Sequence, residues 1–149
     1  MRKSLFVAVF IAVLMSLVSA SSSQAQSPFY NPGPVWRVIY VHLKPGQGDA
    51  FWNDVQKNLK PIYDEQKKQG LIMEYKFWTN PVSDGPNDWD VAIGLLYANY
   101  AALDQVAAKA ATVAIQHYGT REAALEAGKK RSEIGDIVAN KLAREVTLK

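Results

Sequence analysis

The sequence predicts an α+β fold in which helices cover one face of a four-stranded antiparallel sheet. Two observations lead to this prediction. Strand-like and amphipathic helix-like runs follow one another in the order strand, helix, strand, strand, helix, strand. The strand-like runs are also apolar at both alternating sets of positions, which indicates a sheet that is covered on both faces. We therefore expect one domain with one core, and a further layer on the face without helices.

The N-terminus has the features of an export signal. Arg2 and Lys3 precede an uncharged run from Leu5 to Val18, and small residues follow up to Ala25. That run is shorter than the roughly 20 residues that a membrane-spanning helix needs. We expect cleavage after Ala25 or Ala20, a periplasmic or secreted protein, and no stable membrane insertion afterwards. The predicted organisation is a signal peptide over 1–25, an extended leader over 26–34 and the folded domain over 35–149.

Cleavage makes the mature chain almost neutral. Removing Arg2 and Lys3 leaves 15 basic and 14 acidic residues, so there is no electrostatic reason to expect nucleic acid as a partner. Cysteine is absent, which excludes disulfides and thiolate metal sites. Stability must therefore come from packing, for which a hydrophobic content of 48% is sufficient in a domain of this size.

The first half of the domain predicts one strand and one helix. Residues 35–43 are rich in β-branched and aromatic types without a breaker, which is typical of a strand. Residues 49–69 predict a helix that ends at Gly70 in a left-handed closing position. Pro61 lacks an N–H, so we expect a kink near residues 58–60. The apolar stripe of this helix consists of Phe51, Val55, Leu59 and Ile62.

The second half predicts a hairpin of strands over residues 71–79 and 88–97, joined by a loop with Asn-Pro and Asp-Gly-Pro steps. Asn99 is a suitable N-cap for the next helix. Its apolar stripe consists of Leu103, Val106, Ala110, Val113 and His117.

Gly119 and Thr120 predict that this helix ends and that a new helix begins directly after it. A short alanine-rich helix follows from Arg121 to about Ile134, and the closing segment from about Asn140 to Leu148 alternates as a last strand. The full order is the split βαβ arrangement of a ferredoxin-like sandwich.

The sheet face without helices is predicted to form a dimer interface. Trp36, Val38 and Tyr40 share that face on the first strand. An exposed apolar face of this size is unusual for a monomer, and a second copy of the same sheet is the simplest cover. We therefore expect a homodimer.

The residues of several elements resemble the dimeric α/β-barrel superfamily. The resemblance rests on the strand ending in His42-Leu43-Lys44-Pro45-Gly46, the run Tyr97-Ala98-Asn99-Tyr100-Ala101-Ala102-Leu103 and the final strand, and it covers residues 35–149. That superfamily includes antibiotic-biosynthesis-type monooxygenases, stress-responsive barrel proteins and heme-degrading monooxygenases, and the chain is most similar to an exported branch. The resemblance implies two sheets that face each other around a cavity, where enzymatic members hold their substrates. It describes the fold and assigns no reaction.

Heme is the cofactor that this resemblance makes worth testing. Heme-degrading members use a histidine on the second helix, an asparagine on the first strand and a tryptophan on the third. His117 and Trp89 correspond to two of these, but the first strand contains no asparagine. We therefore expect no cofactor, and heme is the minority alternative.

Other chemistries are disfavoured by the pattern of residues. Gly46 and Gly48 do not begin a phosphate-binding loop, because Phe51 occupies the place of the third glycine. With His42 and His117 as the only histidines, no metal site built on several imidazoles is expected. Ser83 and Ser132 lie in no nucleophile-elbow pattern. Asp88 and Asp90 flank Trp89, where they are either the polar start of a strand or a pair that shares a proton or a cation.

A set of polar and aromatic residues on the strands remains, and we predict that it binds a small, partly aromatic or anionic molecule between the two sheets. In an oxygenase, His42 or Tyr40 would assist proton removal from such a substrate. His117 is a third catalytic candidate, and a structural role near a helix C-terminus competes with it. A cofactor-independent or heme-dependent monooxygenase and a structural protein with a filled barrel are the alternatives. The predicted ligand-binding residues are Trp36, Tyr40, His42, Glu74, Lys76, Trp78, Trp89 and Arg144.

Overall fold

The computed structural model describes residues 27–82, 84–85 and 88–149. The predicted signal peptide and Ser83 lie outside these residues. The elements are β1 (Tyr30–Leu43), α1 (Gly48–Asp54), a π-helical turn (Val55–Leu59), α2 (Lys60–Lys68), β2 (Glu74–Thr79), β3 (Val91–Tyr97), α3 (Tyr100–Tyr118), α4 (Arg121–Ile134) and β4 (Gly135–Leu148).

The four strands form one antiparallel sheet in the order β2-β3-β1-β4. Each crossover therefore skips one strand, and β2 and β3 pair as a hairpin, as predicted for the ferredoxin-like arrangement. Within the described residues no helix is long and apolar enough to cross a membrane.

The core lies between the sheet and the helices, on the side that we call the helix face. One cluster joins β3 to α2 and α3, and it consists of Ile62, Leu71, Ile72, Leu95, Tyr97, Val106 and Val113. A second cluster joins β1 and β3 to α1 and the π-helical turn, and it consists of Val41, Phe51, Val55, Leu59, Val91 and Ile93. The predicted stripe of the first helical segment is thus entirely buried.

Local signals placed the helix ends correctly. The side chain of Asn99 accepts a hydrogen bond from Ala102 N at 3.0 Å, and Thr120 accepts one from Ala123 N at 3.0 Å. Gly70 adopts φ 69°, and Leu71 N donates to Gln66 O, which closes α2 in a Schellman arrangement.

Pro61 acts on the helix differently from the prediction. The helix widens into the π-helical turn immediately before α2, and Pro61 lies in the first turn of α2. A π-helical turn is a recognised way to accommodate a defect in the helical hydrogen-bond ladder. The irregularity therefore begins at Val55, three residues before the predicted kink.

All four strands begin at residues other than the predicted ones, and β3 begins at Val91 in place of Asp88. β1 begins at Tyr30. Residues 30–32 pair with β4 on one side only, so a proline, which has no N–H to donate, is tolerated on the unpaired side. β2 begins only at Glu74, since Leu71 and Ile72 are buried in the core before the strand. β4 begins at Gly135, where a Cβ atom would lie 2.8 Å from His42 O. Glycine is therefore required at this close approach.

Candidate functional site

The sheet face opposite the helices, which we call the open face, carries most of the aromatic residues predicted to bind a ligand. Side chains alternate along a strand, so Trp36, Val38 and Tyr40 of β1 point to this face, as predicted. Paired residues share a face, which adds the side chains of the neighbouring strands. These neighbours are Ala92, Gly94 and Leu96 on β3, Glu74, Lys76 and Trp78 on β2, and Ala139, Lys141 and Ala143 on β4.

Two indoles meet above Gly94 at the centre of the open face. The rings of Trp36 and Trp78 lie edge to face with centroids 5.8 Å apart. A Cβ atom on Gly94 would lie 2.5 Å from Trp78 Cζ3 and 3.0 Å from Trp36 Cε3. The missing side chain of Gly94 is thus what allows both indoles to approach the strand at this point.

Polar groups surround this indole pair. Lys76 Nζ lies 5.5 Å from the centroid of the Trp36 ring, which is a cation–π distance. Trp36 Nε1 donates to Glu145 Oε1 at 2.7 Å. Beside them, Tyr40 and Trp89 meet edge to face at 5.3 Å.

Together these side chains line a groove of about 410 Å³, the open-face groove. Five of the eight predicted ligand-binding residues line it: Trp36, Tyr40, Lys76, Trp78 and Trp89. Glu145 also lines it and was missed, because a polar residue near the end of an edge strand gives no signal of its own. The groove does not include His42, Glu74 or Arg144.

Arg144 lies on the helix face, which corrects its predicted place in the cavity between sheets. It pairs with Val35, whose side chain is fully buried on that face, and paired residues share a face. The guanidinium Cζ of Arg144 lies 4.4 Å from the centroid of the Tyr100 ring. Its role in the structure is therefore to stack on the first residue of α3.

Glu74 is occupied by local contacts at the beginning of β2. Its Oε1 accepts from Lys67 Nζ at 2.9 Å and from Tyr75 N at 3.1 Å. The hydrogen bond from Lys67 holds the pKa of the Glu74 carboxyl below its usual range. The side chain thus ties β2 to the end of α2, and it does not line the groove.

His42 lies beside Asp90 at the end of β1. Its Nδ1 is 3.0 Å from Asp90 Oδ2 and is buried, but the two atoms are not aligned for a hydrogen bond. Asp90 Oδ2 instead accepts from Leu43 N at 2.6 Å. The carboxylate therefore fixes the end of β1 and neighbours the imidazole as an opposite charge when His42 is protonated.

Asp88 and Asp90 have separate partners and do not act as a pair. Asp88 accepts from Asp84 N at 2.9 Å and from Trp89 N at 2.8 Å, and these bonds lower its pKa. Among the described residues, no group of three or more His, Asp or Glu side chains is arranged to hold a metal ion. Both residues lie just before β3, in the loop, and not at the start of the strand as predicted.

His117 belongs to a network on the helix side of the molecule. Its Nε2 lies 3.0 Å from Asn58 Oδ1 within the π-helical turn, and Asn58 Nδ2 donates to Asp54 Oδ1 at 2.7 Å. Trp89, by contrast, contacts Tyr40 on the open face. The sheet separates His117 from Trp89, so the two residues suggested by the heme-degrading pattern are not brought together within one chain.

A second cavity, of about 440 Å³, lies between the helix face and α1, α2 and α4, and we call it the helix-side cavity. Most of its wall is apolar, and the polar residues that line it are Asp54, Tyr63, Arg131, Ser132 and Asp136. The apolar lining consists of Ile39, Val41, Phe51, Leu59, Ile93, Ile134 and Ile137. Sequence reasoning missed this cavity, because its polar residues come from four separate elements.

An ion pair lies at the edge of the helix-side cavity. Arg131 Nε donates to Asp54 Oδ2 at 2.7 Å, and the guanidinium also donates to the hydroxyl of Tyr118. Burial by itself lowers the pKa of Arg131, but the hydrogen bond and charge of Asp54 outweigh it and raise the pKa overall. Arg131 is therefore a permanent cation that is held by one carboxylate.

Among the described groups that line the helix-side cavity, Tyr63 has the largest pKa shift. Its surroundings desolvate the phenolate and raise the pKa of Tyr63 to about 12. The side chain still has accessible surface, because it borders the cavity. Among the described residues, no hydrogen bond reaches the Tyr63 hydroxyl. A neutral phenol thus borders the cavity at physiological pH with a free hydroxyl.

We predict that Tyr63 makes the fold sensitive to alkali. The folded-state pKa of about 12 exceeds the ordinary value of 10.0, so the unfolded chain loses this proton first as the pH rises. The stabilising contribution is complete below pH 10 and is lost between 10 and 12, at a cost of up to about 2 kcal/mol. Urea denaturation across this range should show a shallower loss for Tyr63→Phe. Tyr30→Phe, at an exposed position, is the matched control, and an identical decline in both variants would contradict the assignment.

Comparisons with known proteins add little beyond the fold. No protein-family model matches the chain, and no curated protein matches it. A solved structure from Bacteroides fragilis NCTC 9343, described as a dimeric protein of unknown function with a ferredoxin-like fold, is 15% identical with a TM-score of 0.41. The similarity covers 78% of this chain and 97% of that one.

A second solved structure, a dimeric ferredoxin-like protein from an uncultured marine organism, is 13% identical with a TM-score of 0.42. The similarity covers 80% of this chain and 96% of that one. Both TM-scores are low, so the fold assignment rests on the strand order of this chain. Membership of the dimeric α/β-barrel superfamily stays a prediction.

Proposed function

We propose that the mature, exported chain is a homodimer that binds a small, partly aromatic molecule of low charge. The observation that carries the proposal is the helix-side cavity, which combines apolar walls with an unpartnered phenol and a fixed ion pair. A concave, mostly apolar cavity with a few polar groups is the usual form of a small-molecule site.

The open face supports the dimer. Trp78 is 39% exposed and adjoins Trp36, Val38 and Leu96 on the same face. A contiguous apolar surface on a monomer is typically an interaction site. A second copy presents the same aromatic surface about a two-fold axis, so the two faces can cover each other without a different partner.

The charges of the helix-side cavity indicate the class of ligand. Asp54 and Arg131 line the cavity as an ion pair, so the cation of Arg131 is already balanced. An anion entering this cavity would lose water without gaining an unpaired cation from this pair. A neutral aromatic molecule with one acceptor group fits better, because the Tyr63 hydroxyl can donate to that group.

A pair of fluorescent probes tests this proposal. We expect N-phenyl-naphthylamine, which is neutral, to bind with a dissociation constant on the order of 10 to 100 µM, as the size of the molecule allows. Its sulfonated analogue, anilinonaphthalene sulfonate, should bind at least about tenfold more weakly, because Arg131 is already paired with Asp54 and cannot balance the added charge. Fluorescence titration of the mature protein measures both.

Gly128→Phe assigns the binding to the helix-side cavity. Gly128 borders the cavity and a Cβ atom there meets nothing within 4 Å, so the added ring occupies space that the probe needs. Leu125→Phe, on the same helix at a side chain that is 59% exposed, is the matched control. Unchanged binding to Gly128→Phe would refute the assignment to this cavity.

The open-face groove is the second candidate site, as predicted from the sequence. Lys76 above the Trp36 ring favours a planar anion enclosed between the two sheets of a dimer. If this groove is the site, Lys76→Ala weakens binding of the sulfonated probe and Gly128→Phe does not. A barrel filled by side chains binds neither probe.

The three catalytic candidates of a monooxygenase lie in different parts of the structure. Tyr40 lines the open-face groove, whereas His42 neighbours Asp90 at the end of β1 and His117 contacts Asn58 in the helix layer. Only Tyr40 therefore supports a reaction in the groove between sheets, and His42 and His117 stay predictions.

A further inference from the structure

β4 is the longer of the two edge strands of the sheet. The order β2-β3-β1-β4 gives β2 and β4 one neighbour each, and β2 spans 6 residues whereas β4 spans 14. Among the described residues, no strand pairs with the outer edge of β4, and its pairing with β1 is regular from Ala139 to Arg144. Proteins usually protect such an edge by keeping it short or by placing proline on it, and β4 contains no proline. This edge is therefore able to pair with an additional strand.

The side chains of β4 on the helix face form a row, the edge row, which consists of Asn140, Leu142, Arg144, Val146 and Leu148. Arg144 pairs with the buried Val35 on this face, and alternate residues of the strand share it. Leu142 and Val146 are each 51% exposed, and Leu148 is 78% exposed. The helices thus leave apolar side chains uncovered next to an unpaired edge.

Two partly buried arginines at the edge row lack a carboxylate partner. Arg37 lies on β1 opposite Leu142, and Arg144 lies two residues further along β4. Neither arginine forms an ion pair with a carboxylate of the described residues. Arg37 Nε donates to Asn140 Oδ1 at 3.1 Å, whereas Arg144 Nε is buried without an acceptor. Charged groups that leave water are normally paired, so both arginines indicate an anion that this chain does not supply.

A second copy of β4 does not supply that anion. Two β4 strands that pair about a two-fold axis bring the edge row of one copy beside the edge row of the other. The edge row contains no acidic residue. Self-pairing would therefore cover the apolar side chains and leave both arginines unbalanced. A different chain that carries carboxylates fits this edge better.

We propose that the outer edge of β4 binds an extended segment of another protein, which adds a strand to the four-stranded sheet. The backbone of the segment pairs with residues 139–144 of β4. Opposite Asn140, Leu142 and Arg144, the segment carries an acidic, an apolar and an acidic side chain, with one residue between each of them. This inference is independent of the proposed function, because it uses neither the helix-side cavity nor the open face.

The two arginines are placed to recognise the acidic side chains of such a segment. Residues directly opposite each other on paired strands have Cβ atoms about 5 Å apart. Arg37 already reaches across to Asn140, so an acidic residue opposite Asn140 lies near its guanidinium. Arg144 stacks on the Tyr100 ring at 4.4 Å, which leaves the terminal N–H groups in the guanidinium plane for a carboxylate. Backbone pairing then provides affinity, and the arginines provide selectivity for acidic segments.

Two labelled peptides test the proposal. The probe has the sequence TETVTET with fluorescein at its N-terminus, and the control peptide TQTVTQT has glutamine in place of glutamate. We expect the glutamate peptide to bind the mature protein with a dissociation constant on the order of 100 µM. The glutamine peptide should bind at least about tenfold more weakly, because it lacks both charge-assisted pairs. Fluorescence anisotropy measures both.

Replacement of each arginine assigns the contacts. Arg37→Met and Arg144→Met should each weaken binding of the glutamate peptide by about fivefold or more and leave the glutamine peptide unchanged. Arg121→Met removes the same charge at an exposed position of α4 and should change neither. Leu142→Glu is the second variant if an arginine variant does not fold, because Leu142 is 51% exposed and lies outside the core. Its carboxylate lies between the two arginines and should abolish binding of the glutamate peptide.

Hydrogen exchange distinguishes strand pairing from attraction by charge alone. With the glutamate peptide near saturation, amides within residues 139–144 should exchange more slowly, whereas those within residues 74–79 of the other edge strand should not change. Equal exchange at residues 139–144 with and without the peptide would overturn the pairing.

Other results would also overturn the proposal. One is that neither peptide binds, and another is that both bind with equal affinity. A third is that the wild type forms an oligomer larger than a dimer that Leu142→Glu disrupts in sedimentation, which would assign the edge to a second copy. None of these results concerns the helix-side cavity, so the proposed function is tested separately.

Discussion

Val38→Glu is expected to convert the proposed homodimer into a folded monomer. Val38 lies at the centre of the open face, on a central strand between Trp36 and Tyr40, and its cross-strand partners are Gly94 and Lys141. In a monomer the new carboxylate faces water beside Lys141, so the fold is retained. In the dimer it would be buried against the second sheet, at a cost of several kcal/mol.

Sedimentation equilibrium at micromolar concentration measures this effect. The wild-type chain should sediment as a dimer, and Val38→Glu should raise the dimer dissociation constant by about 100-fold or more, equivalent to about 2.7 kcal/mol. Thr112→Glu introduces the same charge at an exposed position of α3 and should remain dimeric. A dimeric Val38→Glu variant would place the interface elsewhere, and a monomeric wild type would refute the dimer.

Gly94→Ala is expected to destabilise the fold by about 1 to 2 kcal/mol, although alanine has the better intrinsic propensity in most strands. The added Cβ atom would overlap Trp78 Cζ3 at 2.5 Å, so the indole must leave its place above the strand. Its edge-to-face contact with Trp36 is then lost, which adds to the cost.

Two controls make the Gly94 measurement specific. Gly128→Ala places the same methyl group where nothing lies within 4 Å, and it should stabilise α4 by up to about 1 kcal/mol. In a Trp78→Ala background the penalty of Gly94→Ala should largely disappear, because the overlapping ring is absent. Chemical denaturation of the wild type, Gly94→Ala, Trp78→Ala and the double variant gives the coupling energy between the two positions. A destabilisation by Gly94→Ala that persists without Trp78 would contradict this explanation.

The predicted fold was confirmed because its signals are local. The N-caps at Asn99 and Thr120 and the left-handed Gly70 depend on a few neighbouring residues, and these residues are adjacent in sequence. Period-two alternation likewise identified which side chains of β1 share a face, since that follows from strand geometry alone. Pro61 revealed a defect in the helix, but the form of the defect depends on packing against the sheet.

The candidate site was predicted in part, for a related reason. Trp36, Tyr40, Lys76 and Trp78 were found because each has the parity of the open face on its own strand. Arg144 was misplaced because its face depends on how β4 is registered against β1. That pairing joins residues more than one hundred positions apart, and the register shifts within it cannot be read from either strand.

By itself, the sequence determined the order of elements, the two apolar faces of the sheet and the aromatic character of the open face. These properties follow from side-chain polarity and backbone geometry over a few residues. Only the tertiary structure decided that Asp54, Tyr63 and Arg131 meet at one cavity under α4. Asp54 and Arg131 are separated by 77 positions, and no periodic pattern links them. Long-range contacts of this kind exist only once the chain has packed, because burial and not local propensity selects the partners.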